Sequence, residues 1–150
     1  MSLSDKINQD LKDAMKSGDK TRLAVVRSIR ALILEFEKSG ANKELTSEDE
    51  IKMLSTAAKK RRDSIEQFRN AGRNDLADAE EAELKILTEY LPKQMDENEI
   101  ISEVLRIATE IGAKTKEDFP KLMPIVMKEL KGKADGKLVK SIVENILVSN

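Results

Sequence analysis

Apolar residues recur at three- and four-residue intervals along nearly all of this 150-residue chain, and glycine or proline breaks the pattern at a few points. Such spacing places hydrophobic side chains on one face of a helix. It constrains the fold more than any other feature, because no stretch alternates with the two-residue period of a half-buried strand. The expected fold class is therefore all-α.

The pattern predicts seven helices. Ser4 caps a first helix carrying Ile7, Leu11 and Met15, which stops at Ser17-Gly18. Asp19 caps a second through about Lys38, with a stripe of Val25, Val26, Ile29, Leu32, Ile33 and Phe36. Residues 39–46 form a polar connection containing Gly40 and Asn42. Ser47 with Glu50 fits a capping box for a third helix to about residue 71, carrying Ile51, Leu54, Ala58, Ile65 and Phe68. Gly72 stops it, and Arg73 or Asn74 opens a fourth helix with Leu76, Ala79, Ile86, Leu87 and Tyr90. Leu91-Pro92 ends that helix, since the residue before a proline is pushed out of helical geometry. Asp96 with Glu99 opens a fifth, Thr115 to Asp118 a sixth, and Asp135 a seventh. These group into an N-terminal bundle of about four helices over 1–91 and a three-helix module over 96–150. Pro92 is the break between them, and residues 92–95 are the linker.

Cysteine, histidine and tryptophan are all absent, while 37% of residues are charged. No thiol nucleophile, Ser-His-Asp triad or His-ligated metal site can be built from such a set. No catalytic residue, metal site or cofactor is expected. Without a continuous apolar run of about 20 residues there is no membrane span. The N-terminus opens directly into an amphipathic pattern, so a cytoplasmic location is expected.

The net charge of −1 is a sum of opposed blocks. Lys59, Lys60, Arg61, Arg62, Arg69 and Arg73 outweigh Asp63 and Glu66, a local +4, whereas residues 75–89 carry −5 and residues 128–140 carry +3. Arg62, Arg69 and Arg73 fall within about 40° on a helical wheel, a stripe suited either to phosphates or to solvent beside an acidic helix. Arg61 falls instead on the apolar face, between Leu54 and Phe68. If the third and fourth helices form an antiparallel hairpin, it meets Glu80 or Glu83, a structural role. Lys131-Gly132-Lys133-Ala134-Asp135-Gly136-Lys137 sets lysines and glycines before a helix. It reads as a phosphate-holding loop or as a tight turn, with Gly132 the stop and Asp135 the cap; the spacing is not that of a P-loop. Met123 and Met127 suit core packing or a soft partner groove.

Several segments resemble the GatB/YqeY family. They are Asp19-Lys20 leading to Val26-Arg27, Gly72-Arg73-x-Asp75-Leu76, Glu83-Leu84, Tyr90-Leu91-Pro92-x-Gln94-Met95, Asp118-Phe119-x-Lys121-Leu122-Met123 and Lys131-Gly132-Lys133-Ala134-Asp135-Gly136. The resemblance covers essentially the whole chain and is to the free-standing YqeY-like proteins. Those are similar to the C-terminal tail of the B subunit of the tRNA-dependent amidotransferase, and a related tail is attached to some glutaminyl-tRNA synthetases. There the tail is a helical, non-catalytic attachment that contacts tRNA. The chain departs from the family pattern at Pro120, where glycine is usual, and Pro124 follows. The resemblance also implies carbon–nitrogen ligase activity with glutamine as amido donor. A chain without Cys or His would serve such a reaction as an accessory subunit. The leading expectation is a tRNA-associated, non-catalytic helical module. Its phosphate contacts would be Arg62, Arg69, Arg73, Lys131, Lys133 and Lys137. The alternative is an adaptor that docks on an aminoacyl-tRNA synthetase or an amidotransferase.

Overall fold

A computed structural model describes residues 2–40 and 44–147; Asn42 of the polar connection lies outside them. Among the described residues the chain is all-α, with seven α-helices and one short 3₁₀ turn. The helices are α1 (Leu3–Ser17), α2 (Lys20–Ser39), α3 (Ser47–Asn70), α4 (Asn74–Thr88), α5 (Glu97–Ile111), α6 (Phe119–Glu129) and α7 (Gly136–Ile146).

Two of the expected caps sit earlier than their sequence motifs suggested. Ser2, not Ser4, caps α1 by accepting from the Asp5 N–H at 3.1 Å. The earlier start puts Leu3 one turn before Ile7, and both are buried. Thr46, not Ser47, caps α3, and its box partner is Asp49 rather than Glu50. The motif reads equally well in either register; Asp49 settles it by accepting from both the N–H and the hydroxyl of Thr46. Asp19, Asp96 and Asp135 cap α2, α5 and α7. On α1 the buried stripe continues to Ala14, while Met15 lies exposed.

The chain divides into two compact units, Met1–Leu91 and Pro92–Asn150. In the first, α1 packs on α2, α3 on α4, and α4 also on α2. Ile7, Val25, Val26, Ile29, Leu54 and Leu87 form its centre, all at most 1% exposed. Fully burying such a side chain stabilises by roughly 1.5–3 kcal/mol. In the second unit α5, α6 and α7 pack on one another around Ile100, Val104, Leu122, Val126, Val139 and Val143. Met95 and Met123 pack against this core, as the sequence allowed for Met123.

Residues 92–95 are not a loose linker. The Met95 N–H donates to the Lys133 carbonyl at 2.8 Å, and the Gln94 amide donates to the carbonyls of Pro92 and Gly132. They belong to the second unit. Helix α6 runs on through Pro124 to Glu129. Pro124 removes the hydrogen bond to the Pro120 carbonyl, but both prolines are exposed, so water can take that carbonyl.

Candidate nucleic-acid interface

The basic stripe of α3 meets the acidic helix α4. Arg61 is 18% exposed and donates to Glu83, to Glu80 at 3.4 Å, and to the Ser28 hydroxyl at 3.4 Å. Ser28 in turn donates to the Val25 carbonyl at 2.7 Å, which leaves its oxygen lone pairs to accept from the guanidinium. The hairpin thus brings together Arg61, Glu80 and Glu83 on the inward side of both helices.

Further along, Arg69 donates to Glu81 at 3.0 Å, to Asp78 at 3.1 Å and to Asn74 at 3.3 Å. Glu81 and then Asp78 make this guanidinium hold its proton more tightly than usual. Arg73 forks onto Asp75 through two contacts of 3.3 Å and holds that carboxyl below its ordinary range. Arg62 lies half-buried. Arg61 and Arg69 of the +4 block thus meet the −5 block across the hairpin, Arg73 pairs locally as the residue that opens α4, and at least two of the three arginines expected on phosphate already hold carboxylates.

The lysines of the second unit are placed differently. Chain leaves α6 through Leu130 and reverses at Gly132, whose φ of 79° lies in the left-handed region that an L side chain rarely adopts. The Lys133 N–H then donates to the Leu130 carbonyl at 2.9 Å. The carbonyls of Gly132 and Lys133 accept from Gln94 and Met95, so the loop backbone is tied to the segment that opens the unit. Asp135 turns its carboxylate to the Lys137 N–H at 3.3 Å and starts α7. Lys131, Lys133 and Lys137 remain exposed. Among the described residues neither Lys131 nor Lys133 has an ion pair. The acids nearest in sequence are Asp135, which caps α7, and Glu129, which is held 2.8 Å from Arg106, itself bound also to Glu103 and Glu110. Glu129 is thus neutralised by an arginine, and the charges of Lys131 and Lys133 are left to solvent.

Two features were beyond the sequence reading. The first is Gln94, whose carbonyl partner Gly132 is 38 residues away; its only signal was its place in the Tyr-Leu-Pro-x-Gln-Met motif. The second is a cleft of about 270 Å³ lined by Lys6, Asp10, Asp13, Arg22, Glu89 and Tyr90. Here Arg22 forks onto Glu89 at 2.7 and 3.3 Å, the Tyr90 hydroxyl donates to Asp10, and Lys6 sits 5.5 Å above the tyrosine ring. Lys6 and Arg22 meet Asp10 and Glu89, while Asp13 accepts from the Gln9 amide at 3.1 Å, so the cleft is a fastening between α1, α2 and the end of α4.

Known relatives share most of this chain. It is 32% identical over 146 residues, 95% of its length, to a protein of Pyrenophora tritici-repentis named Altered inheritance of mitochondria protein 41, mitochondrial, of which 79% is covered. The protein of the same name in Kluyveromyces lactis is 34% identical over 87% of this chain and 68% of its own. These mitochondrial names overturn the expected cytoplasmic location. That expectation rested on the lack of a long apolar run and of a secretory signal pattern, and neither feature separates the cytoplasm from the mitochondrion. The family model described as Yqey-like protein matches residues 4–147, and the chain belongs to that family.

Proposed function

We propose that the chain is a non-catalytic module that contacts tRNA through the lysines on and beside the 131–137 loop. The observation that carries this reading is a backbone-anchored loop on which Lys131 and Lys133 are exposed and without an ion pair, with the adjacent Glu129 already held by Arg106. Fixed cations of that kind suit a phosphate backbone. With three Phe and one Tyr in the whole chain, there is little for bases to stack on, so recognition is of shape and phosphate rather than sequence. Arg62, Arg69 and Arg73 contribute less, because contact with phosphate would exchange carboxylate partners for phosphate ones. Amide transfer would belong to the larger enzymes that carry a similar tail.

Titration with tRNA between about 50 and 200 mM salt tests the reading. Three lysine–phosphate contacts predict a log–log slope of about −2 to −3. Replacing Lys131 and Lys133 together with Glu abolishes binding, and Gln94→Ala weakens it by loosening the loop. Absence of low-salt binding, or full binding by the double variant, refutes the proposal. A second reading, docking on a synthetase or amidotransferase, is favoured by the exposed Ile125, Met127 and Leu138 of α6 and α7. Low-salt capture of such an enzyme that survives ribonuclease treatment would select it over the first.

A further inference from the structure

The first unit carries a groove that the RNA reading leaves unused. Helix α3 packs on α4 rather than along α2, and an open cleft of about 350 Å³ lies between α2 and α3. Its floor is apolar. Leu32 and Phe36 stand one turn apart on α2, Met53 and Ala57 one turn apart on α3, and all are half-buried. Lys52 and Lys60 form the rim, both exposed and two turns apart on α3, a span of about 12 Å. Among the described residues neither ammonium is held in an ion pair. Asp49 also borders the cleft, but its carboxylate is engaged by the Thr46 hydroxyl at 2.8 Å and the Thr46 N–H at 3.1 Å. The groove therefore offers a narrow apolar floor with two unpaired lysines and one hydrogen-bonded carboxylate at its rim, a net positive edge.

We propose that this groove seats an amphipathic helix of a partner protein, with two or three apolar side chains on the floor and acidic residues over Lys52 and Lys60. A helix satisfies its own backbone, so it enters an apolar groove without stranding N–H or C=O groups, which an extended segment would do. Ridges of one turn on each wall match apolar residues spaced three or four apart on the incoming helix. Met53 adjusts its shape to the side chain it meets. Charge decides the sign of the partner: a helix with basic flanks would set like charges against both lysines. An RNA strand would satisfy the lysines but leave Phe36 and Met53 facing phosphate.

The test uses the full chain and a fluorescent helical peptide with leucines at i, i+4 and i+7 and glutamates on both sides of that stripe. A matching peptide with lysines in place of the glutamates is the control. Saturable binding of the acidic peptide, at least about tenfold tighter than the basic one, is expected. The paired change Lys52→Glu and Lys60→Glu should invert the preference. Thr56→Trp, made at an exposed position bordering the cleft, should weaken binding at least about tenfold by filling it. Circular dichroism verifies that each variant keeps its helices. Absent binding, equal binding of the two peptides, or binding unchanged in either variant overturns the proposal. So does tRNA that displaces the peptide, or sedimentation showing a dimer that Thr56→Trp dissolves, which would assign the groove to RNA or to a second copy of the chain.

Discussion

Tyr90 is the only tyrosine in a chain without tryptophan, so its phenol is an undisturbed reporter of its surroundings. Burial first, then the hydrogen bond to the Asp10 carboxylate, pushes its ionisation above the ordinary value of 10.0. The folded state therefore favours the protonated phenol. Its stabilising contribution is complete below pH 10 and is lost as pH rises through the higher native value. Phenolate absorbance should stay low past pH 10 and then rise together with the loss of helical dichroism. Tyr90→Phe removes one hydrogen bond to a charged acceptor and should cost roughly 1–3 kcal/mol at neutral pH. A reversible phenolate titration centred on 10 in the folded chain would contradict this account.

The α3–α4 hairpin turns on Arg61. Replacing it with alanine leaves Glu80 and Glu83 facing each other on a partly buried seam without their cation. That change should lower urea stability by roughly 1–3 kcal/mol. Glu83→Gln, which keeps a hydrogen-bond acceptor, should cost less. A loss under about 0.5 kcal/mol for Arg61→Ala would show the cluster to be as weak as an exposed surface pair. Arg61 could be located from its sequence because a charge on an apolar helix face demands a partner, and the short Ala71–Arg73 turn fixes which residues lie opposite. The fate of Arg69 and Arg73 was not legible in the same way. A basic stripe beside an acidic helix is compatible with pairing or with solvent, and only side-chain geometry distinguishes them. The caps of α1 and α3 shifted because their motifs overlap themselves by one or two residues, so local chemistry permitted more than one start. Gln94 was illegible for a third reason: both its role and the fixing of the lysine loop come from tertiary contact, which periodicity does not encode.

At the scale of the molecule, each unit encloses its own hydrophobic cluster. Residues 92–150 alone should therefore be helical and melt cooperatively, close to the lower size at which domains of roughly 60 residues hold together unaided. A fragment beginning at 96 should melt at a lower temperature, since it lacks the Gln94 and Met95 bonds to the loop. Equal melting of the two fragments would mean that residues 92–95 contribute nothing to the unit. The same stretch has a consequence for how such chains are assembled over generations. The Tyr-Leu-Pro-x-Gln-Met motif looks like one signature, yet its tyrosine fastens to Asp10 and its glutamine to Gly132. The join between Leu91 and Pro92 passes between those two fastenings. A gene cut there releases two bodies with intact interiors, each ready to be spliced to another chain, so a motif that reads as a single word is the seam between two exchangeable parts.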